Sequence, residues 1–303
     1  MSKENTTCCA ACGIAEIDDI KLVPCDCDLV RYCGDECRHI HKSEHEEDCK
    51  MRAAELRDEL LFKQPDSNHM GDCPICCLPL PLDDDKSCMM GCCSKVICDG
   101  CLRANKNRET ELRLEQSCPF CREPLPSSKK EHDKQRVKRA KANDPLAMCQ
   151  EGVQLVSKGD YRSALAYYTK AVALGDVGAH YKLAGLYFCG YGVEKDELKY
   201  IHHWEEAAIG GHSGARYCLG AHEWETGKKE RAVKHWIIAA TQGEDEAIKA
   251  LMHGAFKEGF VKKDVLATAL RAHKAAVDAT KSPQREAAEQ YNRMNSLFRN
   301  GAS

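Results

Sequence analysis

The sequence predicts a mainly α protein, with two small metal-stabilised fingers at the front and an α-solenoid of four helical-pair repeats behind them. Three observations carry this. Of 21 cysteines, 18 fall before residue 122; they are set in ordered short-spaced groups; and beyond residue 144 small residues recur at intervals of 32 to 36. The 303 residues leave room for two domains or several small modules. The balance of 44 Lys and Arg against 47 Asp and Glu excludes a globally basic nucleic-acid binder but leaves room for a local basic patch. With aromatics at 6%, one large aromatic-rich core is not expected. No stretch approaches the roughly 18 consecutive apolar residues of a membrane span. The N-terminal segment has no apolar run before a small-residue cleavage site, so no secretory signal is expected. The expected setting is therefore intracellular, cytoplasmic or nuclear. In such a reducing compartment a dense cysteine field more often binds metal than forms disulfides.

The first finger runs from Cys9 to Cys49. It reads C-x2-C, then C-x-C, C-x3-C and a closing H-x3-C, giving Cys9, Cys12, Cys25, Cys27, Cys33, Cys37, His45 and Cys49 as ligands. Eight thiolate and imidazole ligands make two tetrahedral sites, which suits Zn²⁺. So short a segment cannot bury enough apolar surface to fold alone, so metal binding must supply its stability. His45 and Cys49 are four apart, on one face of a helix. Cys8 in place of Cys9, and His41 in place of His45, are alternative ligands. Tyr32-Cys33, Cys37 and His45-x3-Cys49 make residues 9–49 resemble a MYND zinc finger. The resemblance implies interleaved sites, with one zinc on Cys9, Cys12, Cys33 and Cys37 and the other on Cys25, Cys27, His45 and Cys49. Arg38 and Lys42 stand where peptide-binding relatives carry Gln and Trp.

Residues 51–64 (MRAAELRDELLFKQ) read as a short connecting helix that ends before Pro65. The second finger, 73–126, follows. Cys73-Pro-Ile-Cys76, the pair Cys92-Cys93, Cys98-x2-Cys101 and Cys118-Pro-Phe-Cys121-Arg122 again offer eight ligands and two zincs, so four Zn²⁺ are expected, two per finger. Cys88 is a possible substitute ligand and Cys77 has no assignment. CPIC and CPFCR make this segment resemble a RING finger. The resemblance implies a cross-brace, with one zinc on Cys73, Cys76, Cys98 and Cys101 and the second on Cys92, Cys93, Cys118 and Cys121. It also implies a surface for a ubiquitin-conjugating enzyme, with Ile75 and Pro119 as apolar contacts. Arg122 would bridge that enzyme and ubiquitin, a task suited to a planar guanidinium with several donors. Such a finger forms no covalent intermediate; it acts by positioning.

Residues 127–143 form a basic linker. Lys129, Lys130, Lys134, Arg136, Lys138, Arg139 and Lys141 stand against Glu131 and Asp133, which reads as a solvated helical or disordered connector. No aromatics interleave with these charges, so stacking on single-stranded nucleic acid has no support.

From Asp144-Pro145, a helix cap and first turn, repeats occupy 144–282. Ala147, Ala179, Ala215 and Ala247 are separated by 32, 36 and 32 residues, and Gly175, Gly211 and Gly243 keep one offset. Tyr168, Trp204 and Trp236 share a position, as do Leu183, Leu219 and Leu251, where the first repeat has Glu151. This period signals stacked helical pairs with the aromatics as core. Loops are expected near Gly159, Gly190 to Gly192, Gly227 and Gly259. Gly190-Tyr-Gly192-Val193 followed by Trp204-x2-Ala207-Ala208 resembles a Sel-one-like repeat, a relative of the tetratricopeptide repeat. The fourth unit has His273 in place of Trp, and 284–299 reads as a polar capping helix over the open end.

Together these resemblances imply a zinc-binding interaction protein of RING-type ubiquitin-ligase character. The second finger would recruit the conjugating enzyme with its ubiquitin, and the repeats would bind a protein. No membrane or nucleic-acid partner is expected. The alternative from another class is a non-enzymatic scaffold of fingers and solenoid. A transcriptional regulator, dependent on Lys138, Arg139 and Lys141 for nuclear accumulation, is the third reading.

Overall fold

The computed structural model describes residues 10–11, 21–25 and 30–300, leaving out the side chains at 24, 42–45 and 296–300. Two units, 1–63 and 64–303, divide the chain.

In the first unit β1 (Val23–Pro24) pairs antiparallel with β2 (Arg31–Tyr32), and α1 (Asp35–Leu61) follows. Leu22, Cys25 and Tyr32 form its small core. Helix α1 carries Cys37 and Cys49 and continues unbroken through the segment expected as a separate connecting helix. The reason is local: no Gly or Pro interrupts residues 35–61, most of which are strong helix formers. Exposed pairs such as Lys50–Glu46 (2.6 Å) add a few tenths of a kcal/mol each.

The second unit opens with the cysteine-rich finger. A 3₁₀ turn (Asp84–Lys86) leads into a hairpin of β3 (Ser87–Met89) and β4 (Val96–Cys98), in which Cys88 faces Ile97. Helix α2 (Asp99–Glu111) starts directly from β4. Leu80, Met90 and Ile97 pack among the cysteines as an apolar centre.

The basic linker is an ordered helix, α3 (Lys129–Lys141). Ser128 caps it by accepting from the Glu131 N–H (3.3 Å), and Glu131 accepts in return from the Ser127 N–H (2.9 Å). The structure sorts the basic residues by type. Arg136 is buried and donates to Glu151 (2.9 Å) and Asp133 (2.7 Å). Arg139 donates to Asp144 and to the Ser94 hydroxyl (3.2 Å). The five lysines remain exposed.

Four helical pairs follow: α4 (Pro145–Ser157) with α5 (Tyr161–Ala173), α6 (Val177–Cys189) with α7 (Glu197–Ile209), and α8 (Ser213–Glu225) with α9 (Lys229–Thr241). The last pair is α10 (Asp245–Ala250), which runs on as a π-helical turn (Leu251–Ala255), and α11 (Lys263–Ala279). In the first three repeats one side chain caps the first helix, whereas Glu244 in the fourth makes no such bond. Asp144, Asp176 and His212 accept from the backbone N–H three positions on, at 3.1, 2.6 and 3.2 Å. The residue before each cap is left-handed: Asn143, Gly175, Gly211 and Gly243 have φ of 60°, 85°, 88° and 93°.

Tyr168, Trp204 and Trp236 are buried. Their space comes from small residues on the partner helix, Gly152, Ala184 and Gly220, each five positions after the shared alanine. A Cβ at Gly152 would lie 2.4 Å from the Tyr168 ring, and one at Gly220 would lie 2.4 Å from Trp236 Nε1. In the fourth repeat these positions hold Met252 and His273, and there the backbone loosens into the π turn. The final helix, α12 (Pro283–Asn300), packs chiefly along α2 of the finger instead of covering the end of the array.

Candidate metal centres

Three backbone turns build the second finger. In the first, the Cys73 N–H donates to the Leu78 carbonyl (2.9 Å) and the Cys77 N–H to the Cys73 carbonyl (2.9 Å). In the last, the Cys118 N–H donates to Glu123 (2.8 Å) and the Arg122 N–H to Cys118 (2.9 Å). The middle turn has the same pattern: Met90 N–H to Lys95 (2.9 Å) and Ser94 N–H to Met90 (2.8 Å). The residue after the second ligand is left-handed in all three, with φ of 54° at Cys77, 56° at Ser94 and 65° at Arg122. Met90 thus occupies the place of a first knuckle cysteine and is buried in the centre. Cys92, two residues on, supplies the thiol instead, which explains the adjacent pair Cys92-Cys93.

The thiols gather into two groups, Cys73, Cys76, Cys98 and Cys101 in one and Cys92, Cys93, Cys118 and Cys121 in the other, all Sγ atoms of a group lying within 4.8 Å of one another. Among the described residues these are the groups of three or more metal-ligating side chains at that spacing. Sγ–Sγ distances of 3.8 Å (Cys76–Cys98), 3.9 Å (Cys93–Cys118) and 3.4 Å (Cys92–Cys121) are far longer than the roughly 2.05 Å of a disulfide. They match the edge of about 3.8 Å of a tetrahedron with Zn–S bonds near 2.3 Å. Four soft thiolates per group fit Zn²⁺, which when bound supplies fixed tetrahedral cross-links. Cys98 and Cys101 come from the end of β4 and the first turn of α2, so one group ties hairpin and helix to the first turn. Cys77 and Cys88 lie outside both groups; Cys88 sits against its neighbour's carbonyl (3.7 Å).

Among the residues expected to meet a conjugating enzyme, Ile75 is 41% exposed at the tip of the first turn. Pro119 is buried, and its neighbour Phe120 presents the apolar surface instead, 45% exposed with Lys95 Nζ 5.7 Å from its ring centre. Arg122 is exposed, with Nη1 3.3 Å from Asn105 Oδ1 on α2. Asn105 also donates to the Ser117 carbonyl (3.1 Å), and Glu109 accepts from the Ser117 hydroxyl (2.6 Å) and N–H (3.0 Å). Burial works against the Glu109 charge, but these donations outweigh it and hold the carboxyl below its ordinary range. Helix α2 is therefore stitched to the last turn by polar contacts. Phe120 was legible in the sequence, since it lies between two ligands beside a proline.

A partner from far along the chain completes the first group. Arg285 of α12 is buried and donates to Cys76 Sγ (3.3 Å). Burial raises the Cys76 thiol, but the Leu78 backbone and Arg285 outweigh it and bring it down to about 7.

In the first finger Cys25 and Cys49 lie 3.4 Å apart and Cys33 and Cys37 lie 3.5 Å apart, Sγ to Sγ. Each pair falls within one of the two interleaved sets. Cys9, Cys12 and Cys27, with Cys8 as alternative, lie outside the described residues, as does the side chain of His45. The alternative ligand His41 is engaged through Nδ1 by the Tyr32 hydroxyl (3.1 Å).

Residues 9–49 match the MYND finger family. Among solved structures, the chain is similar to c5321, a protective antigen of uropathogenic Escherichia coli strains displaying an SLR fold, at 21% identity and a TM-score of 0.39. That match covers 55% of this chain and 37% of the antigen. A Sel1 repeat protein from Oxalobacter formigenes is similar at 23% identity and a TM-score of 0.35, over 39% of this chain and 97% of that one. No curated protein matches. The chain is a zinc-binding protein in which a MYND finger and a second cysteine-rich finger accompany a helical-repeat solenoid. Among the described residues no helix is long and apolar enough to cross a membrane.

Proposed function

We propose that residues 64–303 form a RING-type ubiquitin ligase in which the second finger receives a ubiquitin-conjugating enzyme and the repeats carry a protein substrate. The observation that carries the reading is the exposure of Ile75, Phe120 and Arg122 on turns that present two Cys₄ groups. Ile75 and Phe120 offer apolar contacts, and Arg122 offers a charged donor beside the last ligand. Pro119 shapes the turn from within.

Attachment of the finger to the repeats supports the same reading. The His69 N–H donates to the Gly211 carbonyl (3.1 Å), the Thr241 hydroxyl meets Gln64 (3.1 Å), and Arg139 reaches Ser94 (3.2 Å). A substrate on the repeats would be held at a set distance from the finger, and catalysis by positioning depends on that. Asn105 and Glu109 contribute by holding α2 against the turn that bears Phe120 and Arg122.

The test is ubiquitin-chain formation in a purified system with zinc-loaded full chain and a panel of conjugating enzymes. Ile75→Ala and Arg122→Ala are each expected to lower chain formation at least about tenfold, an effect of roughly 1.4 kcal/mol, with zinc content unchanged. No activity and no conjugating-enzyme binding by folded, zinc-loaded protein would leave a non-enzymatic scaffold. For the reading as a transcriptional regulator, α3 offers the exposed Lys138 and Lys141, whereas Arg139 is held by Asp144 and Ser94.

A further inference from the structure

Arg285 poses an electrostatic problem that the finger's own residues resolve. Its side chain is 9% exposed. The guanidinium donates to three backbone carbonyls, Pro79 (2.6 Å), Thr280 (2.7 Å) and Leu78 (3.2 Å), and among the described residues it forms no ion pair with a carboxylate. Its fourth partner is Cys76 Sγ at 3.3 Å. A buried cation without a countercharge is costly, and neutral carbonyls do not balance it. Four thiolates around one Zn²⁺ carry a net charge of −2, so the loaded Cys73, Cys76, Cys98 and Cys101 site supplies the missing anion.

We propose that Arg285 is the outer-sphere cation of this zinc site, so that the C-terminal helix and the metal retain each other. Groups that hydrogen-bond metal ligands govern affinity, and their loss typically weakens metal binding by roughly 10- to 100-fold. Coupling of this kind is reciprocal: whatever helix docking adds to zinc retention, zinc adds to docking. The rest of α12 is arranged to bring Arg285 there. Tyr291 lies under the Arg103 guanidinium (3.4 Å to the ring centre), Asn292 donates to Asp99 (2.9 Å), and Glu289 pairs with Lys86 (3.6 Å). Gly100, between the ligands Cys98 and Cys101, permits the approach, since a Cβ there would stand 2.8 Å from the Arg285 backbone nitrogen. Among the described residues, α12 offers the second Cys₄ group no such partner.

The experiment is chelator-driven zinc release from fully loaded full chain, followed with a chromogenic acceptor. Arg285→Gln keeps donor groups without charge, whereas Arg285→Lys keeps charge with fewer donors. In Arg285→Gln one zinc per chain is expected to leave at least about tenfold faster than in the parent, the others keeping their rates. Arg285→Lys should release it more slowly than Arg285→Gln. Gly100→Ala, which keeps every ligand and the Arg285 guanidinium but drives a Cβ against the Arg285 backbone and displaces the helix, should speed the same zinc. Unchanged release in Arg285→Gln, or release from Arg285→Lys at least as fast, overturns the proposal. If Arg285→Gln does not fold, hydrogen exchange of the parent decides. Stripping that zinc should raise exchange across residues 283–295 and leave α6 to α8 unchanged, and unaltered exchange in 283–295 would overturn the coupling.

Discussion

In the first and third repeats a single hydrogen in place of a methyl group sets the distance between the paired helices. Gly152 and Gly220 accept the rings of Tyr168 and Trp236 at distances where a Cβ would lie 2.4 Å from ring atoms. Trp236 also donates from Nε1 to the Tyr217 carbonyl (3.3 Å), so it is fixed at both ends. Gly220→Ala should therefore destabilise, because overpacking costs about 1–3 kcal/mol and exceeds the gain in helix propensity. Gly185, also inside a helix, meets nothing within 4 Å. There Gly185→Ala should stabilise by up to about 1 kcal/mol. Urea unfolding of the two variants beside the parent tests the contrast, and equal effects would contradict it. In sequence the two differ by one register position, Gly220 lying five and Gly185 six residues after the shared alanine, and it is the facing ring that separates their effects.

At the scale of elements, α3 and α4 explain the one repeat position that breaks the leucine pattern. Glu151 stands where Leu183, Leu219 and Leu251 pack, and Arg136 of α3 is its partner across a buried 2.9 Å contact. The first repeat has no preceding repeat to pack against, so a basic helix takes that place and its arginine meets the carboxylate. Removing one partner leaves a buried charge alone, at about 3–5 kcal/mol. Arg136→Met should lower stability by that order. Adding Glu151→Leu should recover most of it, because an apolar pair of similar volume often matches a buried ion pair. Thermal unfolding of the single and double variants measures the coupling, and a double variant as unstable as the single would sink the explanation. The basic run was evident in sequence, but its division into two anchored arginines and five exposed lysines required the neighbouring helices.

Across the second unit, the segment leading into the finger is docked on the repeats by stacked rings. His69 lies 3.9 Å from His212, and Tyr181 lies 4.2 Å from the other side, centre to centre. His212 also caps α8 through Nδ1, which requires that nitrogen to be unprotonated. Burial, with nearby Lys182, brings the His69 imidazole down to about 4. Burial and the facing His69 likewise hold His212 well below its ordinary value. A histidine depressed in the folded state contributes fully above its unfolded pKa near 6.5, and that contribution is lost as pH falls toward the folded value. For His69 the loss between pH 7.5 and pH 5 is on the order of 2 kcal/mol. His69→Phe, which keeps the stack, should flatten the pH dependence of unfolding by about that amount. Comparing variant with parent removes the acid sensitivity shared by the thiolate sites. Identical pH profiles would show that the docked ring carries no proton linkage.

Sequence alone determined the modules. Cysteine spacing marks the fingers because tetrahedral metal sites demand ligands at short, ordered separations. The repeat period marks the helical pairs because each unit must bury the same face against its neighbour. Both are local or periodic constraints, so they are written along the chain. Tertiary structure alone decided how the modules of the second unit join. Met90 takes a knuckle position that looks apolar in sequence, Glu151 is answered by Arg136, and Arg285 meets Cys76 across 209 residues. Such contacts cost loop entropy that grows only slowly with chain separation. They therefore leave no spacing to read: what specifies them is the need to pair a buried charge or fill a small space once distant helices meet.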